Sequence, residues 1–196
     1  MTAPSPRRRG LTALGLSLAF APAWAQTPAA DRKERALREM QVYKLTVLGL
    51  EVWVENQPPW ETQLSDKSGH PTFVAQSPGN YHPPTVMTFA SWPKERTPAD
   101  QLQDMATSAI RRASQNFGLN MGQARGIQIM PASYGVLQGY EGTFNGVADR
   151  VAMDVTVFVG QANGKFPVAL SMYTLRGKMD TLSEQRRRSW GKLKYL

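Results

Sequence analysis

His70 and His82 are the only histidines in a chain that has no cysteine. They stand twelve residues apart in one Pro- and Gly-rich stretch, which matches no zinc-binding spacing. Solvent-facing loop histidines are the expectation, and no metal ligand is assigned. Carboxylates do acid–base work when two of them converge, and Glu51, Glu55 and Glu61 lie close together in the sequence. Spacing alone does not make them meet. The chain has no Gly-x-Ser-x-Gly elbow, no Gly-Lys-Ser/Thr phosphate loop and no Gly-x-Gly-x-x-Gly turn. No catalytic residue and no cofactor is assigned, and the balance is against an enzyme.

Binding chemistry is better represented. Arg186, Arg187 and Arg188 form a run that suits an anionic surface, though a solvated helix face is the favoured reading. From Arg176 onward there are seven basic residues against Asp180 and Glu184. The closing segment therefore carries +5. Trp60 follows Pro58-Pro59 and precedes a polar loop, so it is expected to be exposed. Trp60, Arg187, Arg188 and Lys194 are the candidate partner contacts.

The first 25 residues read as an export signal. Arg7–Arg9 give a basic start, Leu11–Ala21 an apolar run too short to span a bilayer, and Ala23-Trp24-Ala25 a cleavage pattern. A periplasmic or secreted location after cleavage near Ala25 follows, and nucleic acid is not an expected partner. Removing the three leader arginines from the 23 basic residues leaves 20 against 15 acidic ones, or +5. That equals the charge of the closing segment, so the rest of the mature chain is neutral.

The elements that must position these residues are read from periodicity. Residues 26–42 are expected to form an N-terminal segment with a weak helix at Asp31–Gln41, and 43–196 a single α+β domain. Tyr43–Val54 reads as strand with a phase change at Leu48-Gly49, marking a bulge or a junction of two strands. Thr72–Ala75 and Thr85–Trp92 alternate as strands. Thr97–Phe117 has helical spacing, with Thr97 as N-cap, Pro98 at the first position and Gly118 as stop. Ile127–Met130 and Tyr134–Phe144 are further strands.

The stretch from Arg150 predicts a long hairpin turning at Asn163-Gly164, a favoured type I′ pair. Counting from that turn sets Val159 opposite Val168 and Val157 opposite Leu170, with an apolar face for the Thr97–Phe117 helix to cover. A closing helix starts at Asp180 or Thr181, with Thr181 and Glu184 as capping box. Arg186 falls on its apolar side with Trp190 and is expected to find an acidic or carbonyl partner.

In this order, Pro58-Pro59-Trp60 after a first strand, Thr85–Trp92 leading into the helix at Thr97, the Tyr140–Phe144 strand, the long hairpin and a last helix with Trp190 resemble the PsbP-like superfamily. The resemblance covers Val52–Leu196, with Ser65–Pro84 as an insertion. It implies an antiparallel sheet flanked by helices on both faces, an α/β/α sandwich. It also implies action mostly through protein contacts, and with the export signal and the absence of catalytic motifs a non-catalytic binding or accessory role is the leading expectation. The alternative is a small-ligand binder or hydrolase with a pocket between the sheet and the 56–84 loop.

Overall fold

The computed structural model describes residues 40–65 and 71–196. The leader, His70 and most of the expected first helix lie outside them. Met40 and Gln41, the last residues of that expected helix, instead begin a strand.

Ten strands, three α-helices and a 3-10 turn follow among the described residues. They run β1 (Met40–Leu45), β2 (Leu50–Glu55), β3 (Glu61–Ser65), β4 (Thr72–Gln76), β5 (Thr85–Ser91), α1 (Leu102–Asn116) and α2 (Met121–Arg125). Then come β6 (Ile129–Tyr134), β7 (Leu137–Ala148), β8 (Val151–Gln161), β9 (Val168–Leu175), the 3-10 turn Met179–Leu182, α3 (Ser183–Trp190) and β10 (Lys194–Tyr195). They build two antiparallel sheets. One has three strands in the order β1-β2-β10, the other seven in the order β3-β4-β5-β9-β8-β7-β6.

This corrects the expected sandwich. The described residues are mostly β, and among them the large sheet is not flanked by helices on both faces. Helix α1 covers one face, where Ala106 and Ile110 pack on Phe144, Val155, Val157 and Val159. The other face is covered chiefly by the small sheet, whose Leu50, Val52 and Val54 join Phe73, Phe89, Phe158, Leu170 and Met172, with α3 adding Trp190. Strand period two in Leu50–Val54 reports a buried face without saying which sheet owns it. The phase change at Leu48-Gly49 is a hairpin turn, closed by Gly49 N–H donating to the Thr46 carbonyl at 3.0 Å.

The long hairpin forms, but one residue out of the expected register. Val159 pairs with Ala169, Phe158 with Leu170 and Thr156 with Met172. Only Gly164 of the Asn163-Gly164 pair has positive φ (+69°), so the turn is not type I′. Lys165 N–H donates to the Ala162 carbonyl at 3.0 Å, while the Pro167 carbonyl accepts from Trp92 N–H at 3.1 Å. Phe166 stacks edge-on against Tyr195 at 4.9 Å. These anchors lengthen the loop to 162–167. Register is weakly specified here because both faces of the sheet are buried. The Met153–Val159 phase packs into the core under α1, whereas the Leu170–Met172 phase packs into the core under the small sheet.

The two-residue turn with both φ positive occurs elsewhere, at Asp149 (48°) and Arg150 (66°), between the paired Ala148 and Val151. Helix α1 starts at Leu102 with Gln101 as N-cap and no side-chain cap, later than Thr97. Thr97 instead offers its carbonyl to Gln161 Nε2 at 2.9 Å. The glycines of β7 let α1 approach: a Cβ at Gly142 would stand 2.7 Å from Ile110 Cγ2, and one at Gly146 2.5 Å from Phe117 Cβ. Ile110 fully buried against this strand makes Ile110→Ala a cavity change of about 2–5 kcal/mol.

Candidate functional site

The candidate carboxylates do not converge. Glu51 and Glu55 share a phase of β2, about 13 Å apart at ~3.3 Å per residue. Glu51 accepts from Lys194 Nζ at 3.3 Å. Glu55 is buried and accepts from the Tyr81 hydroxyl at 2.7 Å. Glu61 is exposed on β3, in the other sheet. Among the described residues no three His, Asp or Glu side chains cluster as a metal site. His82 is half-buried rather than solvent-facing.

Trp60 is 6% exposed, which overturns its expected exposure. The turn after Glu55 folds it inward, and its ring meets Tyr81 edge-on at 5.1 Å. Arg187 is exposed and held by Glu184 through two bonds of 3.0 and 2.7 Å. Glu184 thus serves Arg187 and not a capping box, and Thr181 Oγ1 donates to the Lys178 carbonyl. Arg187 holds the Glu184 carboxyl below its usual range. Arg188 is half-buried and also engaged.

Lys194 lies elsewhere, on β10, with its side chain 65% exposed. Its ammonium stands 5.8 Å from the centre of the Trp53 ring, and that of Lys192 at 4.9 Å. Both are within cation–π range. Lys44, exposed on β1, stands opposite Glu51 in the strand register, on the other side of β2 from Lys194. Ser189 Oγ on α3 donates to the Trp53 carbonyl and fixes this strand to the closing helix. The result is a face with two lysines beside one indole and a third, Lys44, across β2 from Lys194 at the engaged Glu51. Trp53 and Lys192 were not singled out in the sequence. The signal available was the alternation of Trp53 with Val52 and Val54, which puts its ring on the outward side of β2.

A second polar group is internal. Arg186 lies along the sheet, donating to Thr156 Oγ1 at 3.1 Å and facing the Trp190 ring at 5.9 Å. Its hydrogen-bond partner is a hydroxyl, not the expected carboxylate or carbonyl. Thr156 meets Thr143 Oγ1 at 3.1 Å, and the Tyr134 hydroxyl donates to Glu141. Burial, then the bond to Glu141, pushes Tyr134 up, while Arg186 opposes this. The tyrosine is held protonated, and the group ties β6, β7 and β8 to α3.

At the base of the 56–84 segment, Gln76, Ser77, Pro84 and Thr85 with Met153 and Tyr173 line a cavity of about 10 Å³. That is room for one water and not for a substrate. No helix of the described residues is long and apolar enough to cross a membrane.

No family model matches the chain, and no curated protein matches it. A protein from Bacteroides thetaiotaomicron shares the fold over 75% of this chain, with TM-score 0.50 and 7% identity. The chain spans 45% of that protein's length. LpqN, a Mycobacterium tuberculosis protein involved in cell envelope biogenesis, aligns over 84% of this chain and 94% of its own, with TM-score 0.45 and 13% identity. Neither comparison links the chain to the PsbP-like superfamily.

Proposed function

We propose that the chain is an exported accessory protein that works by binding, through the face formed by Trp53, Lys44, Lys192 and Lys194. The observation that carries this reading is the pair of exposed lysine ammoniums at 4.9 and 5.8 Å from one half-buried indole on the outward side of β2. Cation–π contact holds both flexible stems beside the ring, so the two charges are displayed together on one face. The frame beneath is rigid, because β2 is locked by β1, β10 and α3.

The test is capture from an envelope extract with the chain from Gln26 onward as bait. Wild type is expected to retain a discrete bound component that Lys192→Gln with Lys194→Gln loses several-fold. Equal capture by both baits, or none by either, would reject this face as the contact surface.

A further inference from the structure

The three-lysine face continues onto the tip of the small sheet. The β1–β2 turn exposes Val47 (40%), and Leu196 (54%) lies beside it, its N–H donating to the Gly49 carbonyl at 2.9 Å. Lys44 and Lys194 flank Glu51 one step further along the same sheet. Among the described residues Lys44 and Lys192 have no ion-pair partner, and Glu51 is already engaged by Lys194. Two aliphatic side chains project at a tip, with cations and an indole behind them.

We infer that this end of the small sheet docks on the headgroup layer of an anionic lipid bilayer. The inference rests on the proposal that this face is the contact surface, and it names the partner. Phosphate groups take the three ammoniums, whose long stems let them reach outward while Trp53 lies against the interface. Val47 and Leu196 enter the acyl boundary. A protein partner is less well matched, because the cores of protein interfaces are depleted in lysine and centre on packed pockets, whereas the exposed groups of this face are lysines around a half-buried indole. The apolar area is small, so attachment is reversible and salt-sensitive.

Co-sedimentation of the chain from Gln26 onward tests this, with vesicles of phosphatidylcholine alone and of phosphatidylcholine mixed with phosphatidylglycerol. Binding is expected only to the mixed vesicles. Lys192→Gln with Lys194→Gln should lower partitioning about 25-fold, roughly five-fold for each lysine near an anionic surface. Val47→Ser should weaken it further. The variant Arg176→Gln with Lys178→Gln removes the same charge from exposed positions elsewhere in the closing segment and should bind as wild type.

Absence of binding to mixed vesicles would overturn the inference, as would equal loss in the two double variants. So would equal partitioning onto vesicles of phosphatidylcholine alone, which carry phosphate but no net negative charge. If vesicles fail while extract capture still depends on Lys192 and Lys194, the contact face stands and the membrane does not.

Discussion

The Asp154 carboxylate accepts the Gly177 backbone N–H at 2.7 Å, and the same oxygen accepts from Lys178 at 3.1 Å. Asn145 Nδ2 meets the other oxygen at 3.2 Å. A buried strand residue thus fixes the turn through which the chain leaves β9 for α3, and with it the position of everything from Met179 to Leu196. Asp154→Ala is expected to cost about 2–3 kcal/mol, because it strands buried amides, and Asp154→Asn about half of that. Urea unfolding of the two variants gives the comparison.

Gln185 points the other way energetically. It is 5% exposed, and both polar atoms of its amide are buried without a hydrogen-bond partner among the described residues. Gln185→Leu should therefore raise stability by about 1–3 kcal/mol. An increase in the urea midpoint at unchanged slope is the expected reading. A decrease would mean that the amide has a water partner.

The turns make an opposed pair of predictions. Arg150 adopts φ 66°, which favours glycine, so Arg150→Gly should stabilise by up to about 1 kcal/mol. Gly135 has φ 58°, and a Cβ there would run into the Gly191 carbonyl oxygen. Gly135→Ala should destabilise by more than the ~1 kcal/mol of the conformational effect alone. Thermal melts of both variants distinguish the two signs.

Alkaline pH should unfold the chain through its tyrosines. Burial, then the nearby Asp149 carboxylate, pushes Tyr173 up to about 12. A folded value raised above the unfolded ~10 means the stabilisation is fully present below pH ~10 and is lost as pH rises toward 12. Tyr173→Phe should remove part of the fall in stability across that window, and Asp149→Asn should lower the titration point of Tyr173. Ultraviolet titration of tyrosinate together with unfolding at each pH checks both.

What the residues announced and what they hid divide along physical lines. The α1 stripe was legible because Leu102, Ala106 and Ile110 repeat on one helical face, and Gly118, with φ 83°, ends the turn after the helix as expected. The start was misplaced, since Thr97 and Pro98 carry cap chemistry but belong to the preceding turn. The hairpin register was lost because a sheet buried on both faces accepts either phase, and because Phe166 and Pro167 have partners far away in sequence. Asp149-Arg150 hides its turn by lacking glycine. Pairing β2 with β10 joins residues some 140 positions apart, so the Trp53–Lys192–Lys194 face had no local signature; Lys194 was singled out on charge alone.

The most direct test of that face is lysine acetylation with mass spectrometry, with and without the envelope extract. Protection of Lys192 and Lys194 several-fold beyond that of exposed Lys178 is predicted. Equal modification of all three lysines in the presence of bound partner would contradict the account.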